Sequence, residues 1–388
     1  GTLVGWTSRT SGQIIARIGQ THLQVPPGFT LHPKIAQLFE RRAKMSREGH
    51  IDWAFGELLA FGSLLIEGLP VRMSGQDVRR GTFVQRHATV HDHNTGEEWT
   101  PLAALTQDQA KLWMYDSALS EYSVLAFEYG YSVERPDALV VWEAQFGDFA
   151  NGAQTVIDEF ISSAQQKWGQ RSSLVLMLPH GFEGQGPDHS SARIERYLQL
   201  CAQNNMWVCQ PSTPANHFHM LRTQAYARPR RPLIAFTPKQ LLRRRGAVSA
   251  IEDFTAGSFQ PIINEVDASI ANVNRVLLCS GRLYYDLLDH RTRLGDISTA
   301  IVRIEQLYPN PTAELADVLA SYPGADIFWV QDEPENQGPW QHLYLNLFRA
   351  LGISPHLVSR PPAASPSTGR GKTHSAQNQE ILSEAFAR

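Results

Sequence analysis

The stretch "ALVVWEAQFGDFANGAQTVIDEFISSAQQKW", residues 138–168, decides the fold class. It opens on an apolar run of strand length without polar alternation, so the strand is buried on both faces. Phe146, Gly147 and Asp148 interrupt the run, and from Ala150 to Trp168 apolar residues return at helical spacing. A second unalternating run, "SLVLMLP" (173–179), follows. Strand, helix and strand in this order form a parallel crossover unit.

The same rhythm extends both ways. "PVRMSG" (70–75) reads as a strand into a loop and "SEYSVLAFEYGYSV" (120–133) as a helix. "ARIERYLQLCAQ" (192–203), "MWVCQPST" (206–213), "ANHFHMLRTQAYA" (215–227) and "RPLIAFTP" (231–238) alternate helix and strand. Upstream, residues 1 to about 30 are mixed and stop at the linker-like "VPPGFT". "LHPKIAQLFERRAKMSREG" (31–49) predicts an amphipathic helix and "IDWAFGELLAFGSLLIEG" (51–68) a more buried one. The pattern loosens over 246–265, then restarts with "NRVLLCSGRLYYDLLDHR", "TAIVRIEQLYPNP" and "DIFWVQDEPENQGPW". The expectation is an α/β chain in three parts: an N-terminal linker and helix (1–50), a parallel sheet with helices on both faces (51–255), and a smaller α/β domain (256–388).

Of 388 residues, 42% are hydrophobic and 19% charged, enough for two cores. A net charge of -3 gives no case for nucleic acid or a membrane surface. Three cysteines without a CxxC pair suit a reducing compartment. No apolar run reaches the ~18 residues of a membrane span, and the start, without Met, lacks a signal peptide's apolar core and points to an excised piece.

In open parallel sheets, ligands gather at the carboxyl ends of strands. Three loops therefore carry the functional weight: 74–93, 146–151 and 179–193. The last belongs to "MLPHGFEGQGPDHSSARIERYLQL" (177–200), where glycines permit close backbone approach and His180 and His189 sit at the ligand's place. In "RHATVHDH", His87, His91 and His93 have no strong zinc spacing and read as a polar loop. Glu121, after Ser120, reads by itself as a helix-start carboxylate. Phe146 and Phe149 are either core residues or faces offered to a planar ring. "RPRR" (228–231) and "RRR" (243–245) read as solvated faces, with an anionic effector as the minor alternative. GxGxxG after a strand, Walker A, HExxH and GxSxG are all absent.

Together, "RMSGQDVRRGTFVQRHA", "SALSEYSVLAFEYGYS", "WEAQFGDFANGAQTVIDEFISS", "LPHGFEGQGPDHSSARIERYLQL", "PSTPANHFHMLR" and "VRIEQLYP" resemble the carboxy-terminal part of the thiamine-diphosphate-dependent 2-oxoglutarate dehydrogenase component, from about residue 45 onward. The resemblance implies a transketolase-like pyrimidine-binding domain followed by a transketolase-type C-terminal domain. It implies an active site shared across a homodimer and a lipoyl-bearing dihydrolipoyl succinyltransferase as partner. The setting it implies is the bacterial cytoplasm or the mitochondrial matrix.

Residue by residue, Glu121 matches the acid that hydrogen-bonds N1′ of the aminopyrimidine. Phe149 matches the aromatic stacked on that ring, with Phe146 in support. His189 matches the loop histidine that meets substrate, His180 a second contact, and Gln76 and Asp77 the loop facing the cofactor. The departure is the family's "GDG" followed some 25–30 residues later by Asn, the diphosphate and Mg²⁺ signature, which this chain lacks. The expectation is that a diphosphate-binding domain, in the same protein or a second chain, holds Mg²⁺, and that this chain is inactive alone. The runner-up reading is an assembly or regulatory half that docks partners through the carboxy-terminal domain, with "QDEPENQGPW" (331–340) as a surface-loop candidate.

Overall fold

The computed structural model describes residues 7–267 and 269–387. Three helices come first: α1 (Gly12–Thr21), α2 (Pro33–Glu48) and α3 (Trp53–Ile66). α1 corrects the expectation of a mixed N-terminal linker. Ser11 caps its first turn by accepting from the Ile14 N–H at 3.2 Å. Ile15 and Ile18 are fully buried in the same cluster as Phe55, Phe61 and Leu65 of α3, so this segment is part of the core.

The strands are β1 (Val71–Gly75), the short hairpin β2 (Val90–His91) and β3 (Glu98–Trp99), β4 (Leu112–Asp116), β5 (Leu139–Glu143), β6 (Val175–Pro179), β7 (Trp207–Cys209) and β8 (Leu233–Thr237). Then come β9 (Ile262–Ile263), β10 (Arg275–Cys279), β11 (Thr299–Ile304), β12 (Gln306–Tyr308), β13 (Asp326–Pro334) and β14 (His356–Arg360). The large sheet runs β12-β7-β8-β6-β5-β1-β4, parallel except for β12. The smaller sheet runs β14-β13-β10-β11-β9, parallel except for β9.

Successive residues of β5 serve opposite cores, which is why its run does not alternate. Leu139 and Val141 join the cluster under α3 and the helix Pro214–Tyr226. Val140 and Trp142 join a second cluster under α4 (Glu121–Glu134). That second cluster continues through Leu307 and Tyr308 to Val276, Leu278 and Trp329 of the smaller sheet. The two lobes therefore share one continuous core, and β12 carries the chain of the second lobe onto the edge of the first sheet.

The helix expected over 150–168 is interrupted. A 3₁₀ segment (Gly147–Ala153) and one turn (Gln154–Val156) lead into a π segment (Ile157–Ile161), and the α-helix resumes at Ala164–Trp168. The Ser162 and Ser163 hydroxyls donate to the Asp158 carbonyl at 3.0 and 2.8 Å, competing with the regular helical bonds. Downstream, the helix expected over 192–203 is only Ile194–Gln199.

A candidate aminopyrimidine site at the carboxyl edge of the large sheet

The loops leaving β1, β5 and β6 meet at one edge. Phe146 follows β5, and its ring lies 5.3 Å from Phe83 of the loop after β1 and 5.8 Å from Phe149. His189, from the loop after β6, stands edge-on to Phe146 at 4.5 Å and to Phe149 at 5.7 Å. Three of the site residues expected from sequence thus form one cluster. All three are half-buried, so the cluster keeps an open side.

Polar groups lace these loops together. Asp148, between the two phenylalanines, accepts from the Ser190 and Ser191 N–H groups at 3.1 and 3.0 Å. Burial pushes its carboxyl up, and those two bonds oppose the shift. Lys239 donates to the Gly181 and His189 carbonyls at 2.9 and 2.5 Å and lies over the Phe146 ring at 5.8 Å. Gly147 is required by close approach: a Cβ there would lie 2.4 Å from the Ala192 Cβ and 2.7 Å from the Pro179 carbonyl.

Glu121 is the first residue of α4 and is half-buried. Ser120 does not cap the helix through its side chain. The Glu121 Oε2 lies 3.9 Å from where a side chain on Gly152 would begin, so the carboxylate stands beside the turn that carries Phe149. Gln76 and Asp77 follow β1 as expected, half-buried and exposed respectively. Asp77 has a positive φ of 54° and pairs with Arg80 at 3.5 Å. From that loop it is Phe83 that joins the aromatic cluster.

His180 has no nitrogen to spare. Its Nδ1 accepts from the Ala192 N–H at 3.0 Å, and its Nε2 meets Glu333 at 2.7 Å. The expectation that it touches substrate gives way to a role between the lobes. The reading of 331–340 as a surface loop is corrected for most of its length, since it continues β13 to Pro334 and only Glu335 and Asn336 are exposed. Gln331, Asp332, Glu333 and Gln337 are buried, and the Gln331 amide donates to three carbonyls of the turn, from Glu333, Pro334 and Gln337.

Beneath the site lies a charge cluster that the sequence reading passed over. Arg86 is 1% exposed and binds Glu57 at 2.6 Å and Glu143 through both terminal nitrogens, at 2.9 and 2.6 Å. It also donates to the Val78 carbonyl at 2.8 Å, pinning the loop after β1 to the end of β5. Burial opposes charge on Glu57, but Arg86 and His217 outweigh it and bring its carboxyl down to about 2. Glu143, sharing Arg86 alone and facing Glu57, is pushed up by burial. The available signal was a lone Glu inside each of two apolar runs, "AFGELLAFG" and "VVWEAQ".

The other histidines do not converge. His93 stands edge-on to His32 at 5.3 Å, and His91 meets the Gly96 carbonyl at 3.4 Å. Among the described residues, no group of three or more His, Cys, Asp or Glu could hold a metal ion. Of the basic clusters, Arg243 donates to the Phe83 carbonyl at 2.8 Å and Arg244 to Asp289 at 2.6 Å.

An aromatic wall, a carboxylate beside it and an imidazole at the rim fit a planar nitrogen heterocycle. Residues 49–245 match the family "Transketolase, pyrimidine binding domain".

The chain belongs to the transketolase pyrimidine-binding family.

Residues 248–386 match "2-oxoglutarate dehydrogenase C-terminal". The chain is 52% identical over 391 residues to a "Multifunctional 2-oxoglutarate metabolism enzyme" of Mycobacterium sp. (strain JLS), covering 96% of this chain and 31% of that protein. It is 50% identical over 390 residues to the "2-oxoglutarate dehydrogenase E1/E2 component" of Corynebacterium glutamicum, covering 98% of this chain and 32% of that protein. The chain thus spans about a third of the length of these relatives. Membership in the pyrimidine-binding family implies dependence on thiamine diphosphate, and the donor set at the carboxyl edge suits its ring.

Proposed function

We propose that this chain supplies the aminopyrimidine half of a thiamine-diphosphate site that oxidatively decarboxylates 2-oxoglutarate. The succinyl group then passes to the lipoyl arm of a dihydrolipoyl succinyltransferase, as a step of the tricarboxylic acid cycle. The observation that carries this reading is the Phe146–Phe149–His189 cluster set beside Glu121.

When bound, the cofactor supplies a nucleophilic carbon and an electron sink. The chain's own residues bind and orient it and handle protons. Glu121 holds a proton at the ring nitrogen N1′. Phe149, backed by Phe146, packs on the ring and excludes water. His189 donates to the oxygen of the reacting acid, where negative charge develops. Gln76 and Asp77 line the cofactor side.

The diphosphate and Mg²⁺ belong to a diphosphate-binding unit, of the same protein or of a second chain. Its docking surface is the exposed apolar face around α4, where Tyr115, Leu119, Tyr122 and Phe127 are 48, 54, 50 and 57% exposed. Such a face on the helix bearing Glu121 suits a site completed at a homodimer interface. The same constellation of carboxylate, aromatic rings and imidazole also suits a second outcome at this site, non-oxidative decarboxylation or carboligation. A 2-oxoadipate preference differs by one methylene, which a pocket discriminates weakly. Three free cysteines and bacterial relatives suit a bacterial cytoplasm.

The test is ferricyanide reduction by the complete enzyme with 2-oxoglutarate, with and without thiamine diphosphate and Mg²⁺. Cofactor-dependent turnover is expected, and its absence would turn the reading toward an assembly or regulatory half.

A further inference from the structure

The smaller lobe reaches back into the site, and its contacts converge on one loop. His180 and Ala192 are the two ends of the loop that presents His189. The Ala192 N–H can only donate, so His180 Nδ1 is the acceptor of that 3.0 Å bond and its proton sits on Nε2. Nε2 therefore donates to Glu333 Oε1 at 2.7 Å, across 153 residues of sequence, with both side chains buried. The Ala192 N–H sets the tautomer, and Glu333, accepting from the other nitrogen, fixes the plane of the ring that closes the loop.

Glu333 is itself held in place. Gly338, at φ 71°, packs so close that a Cβ there would lie 2.9 Å from the Glu333 Cβ and 3.0 Å from its carboxyl carbon. The Gly338 N–H donates to Glu195 at 2.9 Å, tying this turn to the helix Ile194–Gln199 directly after the loop. The same lobe grips the loop a second time. Arg282, bonded to Asp332 at 2.8 Å, donates to the Phe182 carbonyl at 3.3 Å, and Arg360 covers the Phe182 ring at 5.1 Å.

We propose that Glu333 is a positioning residue for the reaction: through His180 it latches the loop that holds His189 against Phe146 and Phe149. The inference rests on the reading of His189 as the group that meets the reacting acid. The smaller lobe then sets the geometry of a site built on the larger one.

The experiment compares Glu333→Leu, Glu333→Gln and Glu333→Asp in the complete enzyme. Leucine removes the acceptor, glutamine keeps an oxygen at the same reach, and aspartate withdraws the carboxylate by one methylene. Glu333→Leu should lower kcat by about 100-fold, the scale of an ångström of misplacement, with the KM for 2-oxoglutarate nearly unchanged. Glu333→Gln should recover most of that loss, and Glu333→Asp should fall between, serving if the leucine variant does not fold. Amide hydrogen exchange over 181–192 should quicken in the leucine or aspartate variant while β5 and β6 stay protected.

Equal losses in the glutamine and leucine variants would overturn the proposal, because charge rather than position would then be responsible. Unchanged exchange over 181–192 would also overturn it. Exchange is read without substrate, so an enzyme lacking thiamine-dependent turnover sinks the functional reading while exchange still decides the latch.

Discussion

Gly147→Ala tests whether the close approach of two loops builds the site. The residue adds one methyl group. Its Cβ would lie 2.4 Å from the Ala192 Cβ and 2.7 Å from the Pro179 carbonyl oxygen. Ordinary carbon contacts need about 3.5–4.0 Å, so the loops must part by about 1 Å. Neither neighbour can swing aside, since one is a backbone carbonyl at the end of β6 and the other a methyl on the loop whose preceding residues Asp148 ties down. Overpacking of this kind costs about 1–3 kcal/mol. The parting separates Phe146 and Phe149 from His189, and a 1 Å error in such geometry costs about 100-fold in rate. Urea unfolding and steady-state turnover of the complete enzyme check the two numbers. Gly130→Ala is the control: a Cβ there meets nothing within 4 Å inside α4, so it should stabilise by about 0.5–1 kcal/mol. Gly147→Ala with unchanged stability and turnover within about threefold of the parent would refute the reasoning.

Three further outcomes are expected. Glu121→Ala should cut thiamine-dependent turnover by about 10²–10⁴-fold, the range for a lost acid–base group, with unfolding unchanged; a loss under tenfold would dismiss its N1′ role. Arg86→Met leaves Glu57 and Glu143 buried together without their shared cation, at a cost of about 3–5 kcal/mol in urea unfolding; a loss under ~1 kcal/mol would mean that the cluster does not hold the loop after β1. Burial and then the Arg42 guanidinium lower His22 from 6.5 to about 3. The folded chain therefore keeps His22 neutral where the unfolded chain binds a proton. The stability from this group is complete above about pH 6.5 and is lost as pH falls toward 3, at up to about 1.4 kcal/mol per unit. His22→Gln should flatten that slope, and equal slopes in variant and parent would contradict the assignment.

The sequence by itself determined the α/β class, because β5 and β6 are apolar on both faces and only a helix-covered parallel sheet buries such strands. It also pointed to loops that meet in space, since those leaving the ends of β5 and β6 bring Phe146, Phe149 and His189 together. Local pattern could not show α1 as core, because its burial depends on α3, which is remote in sequence. Nor could it show the break at 157–163, where serine hydroxyls compete for carbonyls that a helical pattern leaves unmarked. Only tertiary structure decided the fate of His180 and Glu333. A histidine in a glycine-rich loop reads the same whether its nitrogens face a ligand or a carboxylate 153 residues away. The difference lies in which partner desolvates the ring, and that is fixed by the packing of one lobe on the other.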